Sequence, residues 1–133
     1  MKKIYTWAAQ PANRTLTVDD LKKAKGKKKF TQVTANTLDE AEAAEKAGFD
    51  MIICNAFNVK QVREGSKKLF LTAALVLNKF VTSDDIMRGA FESLENGADA
   101  VMTPRSMKIV EMLANEDVPV SYTHLTLPTK RIV

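Results

Sequence analysis

The 133-residue chain is 45% hydrophobic and 27% charged, with one cysteine and a formal net charge of +4. That size holds one domain at most, and the composition is that of an ordinary soluble globular protein. A single cysteine excludes an internal disulfide framework and a cysteine-based zinc cluster, and no stretch reaches the ~20 apolar residues of a membrane-spanning helix. Met1–Pro11 begins like a signal peptide, but Thr6, Gln10, Pro11, Asn13 and Arg14 break the apolar segment such a leader needs. The expectation is a mature N-terminus and a cytoplasmic protein.

In chain order, Thr17 is placed to cap a short helix, with Asp19 and Asp20 in its favourable first turn and an end near Gly26. Around that end runs a lysine cluster of Lys22, Lys23, Lys25, Lys27, Lys28 and Lys29. No arginine or aromatic residue is interleaved for stacking or base contacts, so the run reads as a solvated turn. Neither a nucleic-acid nor a membrane partner is expected. Phe30–Thr34 is a first strand with Ala35 and Asn36 at its exit. Thr37-Leu38-Asp39-Glu40 has the pattern of a capping box, the Thr37 hydroxyl taking the Glu40 amide and Glu40 reaching back to the Thr37 amide. The helix it opens runs to about Ala47 and turns Leu38, Ala41 and Ala44 or Glu45 inward.

Gly48 suits a helix stop because it tolerates positive φ. Phe49–Cys54 follows as a nearly all-apolar second strand, of the kind covered on both faces. Cys54 is read as a small buried hydrophobe rather than a nucleophile. A helix near Asn58 to Glu64, closed by Gly65, leads to a third strand, Leu69–Val76, and then a loop through Phe80 over the strand ends. Thr82-Ser83-Asp84-Asp85 caps the longest helix, whose apolar stripe is Ile86, Met87, Ala90, Phe91 and Leu94. Asn96–Thr103 then repeats the design of Ala47–Asn55: a glycine, one residue, an aspartate and an apolar run. Ala98–Met102 is the fourth strand. Thr103 and Pro104 are expected at the N-cap and first position of a helix that turns Met107, Val110, Leu113 and Ala114 inward. Val118–Val120 begins a fifth strand.

This alternation implies parallel strands joined by right-handed crossovers. A complete (β/α)8 barrel takes about 250 residues. The expected fold class is therefore α/β, built of parallel β/α units: a partial (β/α)8 barrel of four to five strands, or an open flavodoxin-like sheet. Residues 1–120 are assigned to this half-barrel and 121–133 to a non-native tail, because Val120–Thr129 matches one frame of a transposon-end sequencing adapter. His124, the one histidine, falls in that tail and is given no role. Function in such sheets sits where strands end. The substrate-binding candidates there are Thr34, Asn36, Asn55, Thr72, Thr103 and Arg105, with Asn78 nearby. Arg105 stands out because a guanidinium in the first turn of a helix, beside free backbone amides, suits a carboxylate or phosphate.

Several of these segments together resemble a known family. Thr17-Val18-Asp19-Asp20-Leu21, Lys25-Gly26-Lys27, Thr34-Ala35, Ala41, Ala47-Gly48-Phe49-Asp50, Gly97-Ala98-Asp99-Ala100-Val101 and Val118-Pro119-Val120 are similar to the N-terminal half of ketopantoate hydroxymethyltransferase (3-methyl-2-oxobutanoate hydroxymethyltransferase). That family belongs to the phosphoenolpyruvate/pyruvate-type (β/α)8 superfamily, and the likeness covers roughly residues 15 to 120. It implies a cytoplasmic, homo-oligomeric enzyme of pantothenate synthesis that moves a one-carbon unit from methylene-tetrahydrofolate to an α-keto acid held by Mg²⁺. At the family's metal-ligand positions this chain differs. Asn55-Ala56-Phe57 stands where the family has glycine-aspartate-serine, Ala73-Ala74 at a ligand aspartate, and Met102 and the region of Pro104 at a lysine and a glutamate. No metal-binding carboxylate is carried over, so no metal ligand and no catalytic residue is assigned. The alternative function is a non-catalytic half-barrel that binds a small anion.

Overall fold

The computed structural model describes residues 1–121. Its centre is a five-stranded, all-parallel sheet in the order β3-β4-β5-β6-β7, with the strands at Gln32–Thr34, Met51–Asn55, Phe70–Ala74, Ala100–Met102 and Val120–Ser121. Between successive strands run α2 (Leu38–Ala47), α3 (Val59–Gly65), α4 (Ser83–Glu95) and α5 (Met107–Asn115), with a short 3-10 turn, Ala56–Asn58, ahead of α3. Ahead of the sheet lie a two-stranded antiparallel hairpin, β1 (Lys2–Tyr5) with β2 (Pro11–Arg14), and helix α1 (Val18–Ala24). Among the described residues no helix is long and apolar enough to cross a membrane.

Because each new strand adds on the same side of the last, and parallel crossovers are right-handed, all four connecting helices fall on one face of the sheet. Burial confirms it. Ala35, Ile52, Cys54, Leu71, Ala73, Leu75, Val101 and Thr103 are each at most 1% exposed. They pack beneath Ala41 and Ala44 of α2, Val59 and Val62 of α3, Ile86, Ala90 and Leu94 of α4, and Leu113 of α5. The opposite, concave face carries half-buried Met51, Ile53, Asn55, Ala74 and Met102. The second strand thus has connecting helices on one face only, not on both; at its start the other face looks across a cavity to α1. A doubly wound, flavodoxin-like sheet would place helices on both faces; this arrangement is that of a partial (β/α)8 barrel.

Local chemistry explains most of the helix boundaries. Thr17 and Thr82 each accept from the backbone amide three residues on, while Asp20 and Asp85 return the bond to the Thr amides. Thr37 accepts from the Glu40 amide, but the Glu40 carboxylate takes the Asn36 amide at 2.7 Å rather than that of Thr37. Gly48 ends α2 at φ 83°, which only glycine adopts without strain. Gly65 is the last residue of α3, and its role is contact: a Cβ there would overlap the Leu38 carbonyl oxygen and lie 2.8 Å from Ala41 Cβ. The alanine face of α2 therefore serves close approach to α3 as well as to the sheet.

Three expectations are corrected. Helix α5 starts at Met107 with Ser106 as N-cap, so Thr103 and Pro104 lie in the connection before it. Met107 is 54% exposed and Ala114 is exposed, while Ile109 and Met112 turn inward with Leu113. A helix beginning later presents a differently rotated face to the sheet. The N-terminal hairpin was not foreseen: its turn, Thr6–Gln10, holds no glycine or asparagine and places Ala9 at φ 59°. The hairpin is fastened by Trp7 stacked on Phe91 at 5.5 Å and by Arg14, described below. Tyr122 to Val133, including His124, lie outside the described residues.

Candidate functional site at the strand ends

Strand register sorts the candidates into layers. Thr34 pairs with Ile53, Ile53 with Thr72 and Thr72 with Ala100, so Thr34 and Thr72 share the middle layer of the concave face. One step towards the strand ends, Asn55 pairs with Ala74, Ala74 with Met102 and Met102 with Ser121. Continuing the β3 register puts Asn36 beside Asn55 in that upper layer. Thr103 falls on the other side. It follows Val101 by two residues, is 1% exposed beneath the helices, and its hydroxyl accepts the Arg105 amide at 3.3 Å. Asn78 is exposed in the loop after β5. The structure therefore brings Asn36 and Asn55 into one layer with Thr34 and Thr72 below, and separates Thr103 and Arg105 from them.

Asn36 and Asn55 are joined by a local network. Asn36 Oδ1 accepts the Asn55 backbone amide at 2.8 Å and Asn58 Nδ2 at 3.1 Å. Asn55 Oδ1 accepts the Phe57 amide at 3.0 Å, and Gln61 Nε2 donates to Asn58 Oδ1 at 3.2 Å. Both asparagine oxygens are thus committed to holding the β4–α3 turn. What the pair can offer a ligand is its amide N–H donors, which suit a carboxylate or carbonyl oxygen.

Arg105 is not in the first turn of a helix. It lies two residues before α5, and its Nη1 donates to the carbonyl oxygens of Val81 at 2.8 Å and Phe80 at 3.4 Å. Phe80 in turn stacks on Phe57 at 5.2 Å, with the rings 21° from parallel. The predicted anion anchor is a tie between two loops of the rim. The amides it was expected to share belong to a helix that begins after it.

Below the concave face, between the sheet and α1, lies an open cavity of about 780 Å³. Thr72, Gln32, Phe70 and Ala100 line it on the sheet side, with Leu21, Lys22 and Lys25 opposite. Lys23 lies on α1 beside Asp19, at 2.8 Å, and Lys27, Lys28 and Lys29 lie in the exposed turn leading to β3, where Lys28 Nζ sits 5.2 Å from the Phe30 ring.

The repeated glycine–x–aspartate junctions lie at the other end of the strands. Asp50 accepts the Thr31 amide at 2.8 Å and Asp99 accepts the Leu71 amide at 3.0 Å. In both cases the aspartate fastens the start of the preceding strand, at the residue beside it in register. Asp99 also accepts Arg14 Nε at 3.0 Å and Arg63 Nη2 at 2.8 Å. Burial lowers the Arg63 guanidinium to about 10 despite Asp99 beside it. This cluster is structural, set at the strand starts where barrels keep residues for stability. Cys54 points under the helices, and burial pushes its thiol up to about 12, so it is no nucleophile at neutral pH.

A Mg²⁺ ion does not fit the strand-end layer. Asn36, Asn55, Ala74, Met102 and Ser121 present no charged oxygen, and the two asparagine oxygens already accept backbone amides. A hard dication needs at least one carboxylate there. Glu40 and Asp85, in the first turns of α2 and α4, are occupied with the amides of Asn36 and Thr82, and their neighbours Asp39 and Asp84 are exposed. Among the described residues no three His, Cys, Asp or Glu side chains converge.

No protein-family profile and no curated protein sequence matches this chain. Solved structures do. A candidate deoxyribose-phosphate aldolase from Coccidioides immitis is similar with a TM-score of 0.58 at 16% identity, over 79% of this chain and 55% of that one. The 2,3-dimethylmalate lyase of the PEP mutase/isocitrate lyase superfamily gives 0.59 at 11% identity, over 81% and 53%. A rubisco-like protein from Burkholderia fungorum gives 0.57 at 14% identity, over 86% and 36%. The chain thus spans about half or less of each. At these identities the likeness establishes the fold, an array of parallel β/α units of the barrel type.

Proposed function

We propose that this chain is a divergent relative of 3-methyl-2-oxobutanoate hydroxymethyltransferase, corresponding to the first half of its barrel, and that in this form it binds a small α-keto acid without turning it over. The sequence segments named above support the family, and the barrel-type fold is compatible with it. The observation that carries the inactive reading is the strand-end layer. Transfer of a hydroxymethyl group to a keto acid requires an enolate to be stabilised, and neutral amides are poor at this without a metal or a general base nearby. Amide donors at Asn36 and Asn55 can still receive a carboxylate, which keeps small-anion binding as the chain's remaining chemistry. The expected partners are a small α-keto acid and, for a full-length parent, further copies of itself. Methylene-tetrahydrofolate would be the one-carbon donor only in a catalytically complete parent.

The test is titration of the chain with 3-methyl-2-oxobutanoate, with and without Mg²⁺, followed by amide chemical shifts, alongside an assay for ketopantoate with methylene-tetrahydrofolate. The expected result is weak binding centred on Asn36 and Asn55, independent of Mg²⁺, lost in Asn55→Ala, and no product. Mg²⁺-dependent turnover would overturn the inactive reading. An absence of shifts at the strand ends would overturn keto-acid binding.

A further inference from the structure

We infer that Arg105 is a latch that couples three rim loops into one unit, so that the wall beside Asn55 is set by a residue on the far side of β5. The chain of contacts is continuous. Arg105, between β6 and α5, holds the carbonyls of Phe80 and Val81, between β5 and α4. Phe80 stacks on Phe57, between β4 and α3. Phe57 follows Asn55 by two residues, and its amide is held by the Asn55 side chain. The β4–α3 turn has its own asparagine network, but among the described residues the side-chain hydrogen bonds that reach the β5–α4 loop from another loop are those of Arg105. Leu77 and Val81 are 56% and 59% exposed, and Phe57 is 63% exposed. The Phe80 ring is the fixed element, buried against α4 so tightly that a Cβ on Gly89 would overlap it.

The physical reason for coupling is that a ring buried at one edge and stacked at the other transmits a backbone shift rather than absorbing it. Freeing the Phe80 and Val81 carbonyls lets the loop move, and the stack carries that movement to Phe57 and the Asn55 turn. A guanidinium suits the task because the two N–H groups of its planar Nη1 point in fixed directions towards the two carbonyls, which a freely rotating ammonium does with less order.

Native-state amide hydrogen exchange on the full chain tests this. The reporters are the Lys79 and Phe80 amides, which donate to the Val76 carbonyl, and the Phe57 amide. In Arg105→Met, exchange at Lys79 and Phe80 is expected to rise about three- to tenfold, the loss of one or two hydrogen bonds. Phe57 should follow in the same direction although Arg105 does not touch it. In Phe57→Leu, a change at an exposed position, Lys79 and Phe80 should quicken as well. Unchanged Phe57 exchange in Arg105→Met, or unchanged Lys79 and Phe80 exchange in Phe57→Leu, would overturn the coupling. The test needs no ligand, so it stands apart from the keto-acid reading.

Discussion

Asp99 and Arg63 meet at 2.8 Å where α4 passes into β6, and the same carboxylate oxygen takes the Leu71 amide at 3.0 Å. Arg14, brought by the N-terminal hairpin from 85 positions away, closes the cluster from the other side. Arg63 also donates to the Gly97, Ser66 and Leu69 carbonyls, and Arg14 to those of Asn13 and Lys67. One carboxylate therefore holds two nearly buried cations, a strand start and the hairpin in one place.

The two junction aspartates should differ sharply in cost. Asp99→Ala leaves two guanidinium groups with little solvent and no counter-charge, and a loss of about 3–5 kcal/mol is expected. Asp50→Ala removes hydrogen bonds at a more exposed junction, at about 1 kcal/mol. Urea denaturation of both variants measures the difference; equal losses would mean that the buried pair contributes nothing beyond the shared backbone bond.

Two glycines should fail for different reasons. Gly65→Ala forces α3 away from the Leu38 carbonyl of α2, an overpacking cost of about 1–3 kcal/mol. Gly26→Ala meets open space but must hold φ 76°, at about 1 kcal/mol. Filling the space by other means separates them: Gly26→Asn, which tolerates left-handed backbone, should recover most of the loss in thermal unfolding, and Gly65→Asn should recover none.

Burial holds the Cys54 thiol near 12 in the fold, against 9.0 in an open chain. The folded state keeps this proton more tightly, so its contribution to stability is complete below pH 9 and is lost as pH rises towards 12. Native protein at pH 8 should react with a thiol reagent only as fast as it unfolds, and its stability should fall through the alkaline range. A Cys54→Ala variant should lack that alkaline slope. Rapid labelling of native protein would show the thiol to be reachable.

The sequence by itself determined the order and direction of the sheet. Threonine caps, glycine stops at Gly48 and Gly97, and apolar runs of strand length are local signals, each spanning fewer than about ten residues, and parallel crossovers have one hand. It also located Asn36 and Asn55 at the ends of successive strands, while the register that sets them side by side came from the structure. Tertiary structure alone decided what depends on distant contacts. Which face Thr103 takes, where α5 begins, and whether Arg105 meets a ligand or the Phe80 and Val81 carbonyls are set by packing between units. The hairpin carries no strong turn residue and is held by Arg14 and Trp7 reaching Asp99 and Phe91, more than 80 positions on. A short pattern cannot encode such pairs, because neither partner is distinctive until the fold has brought them together.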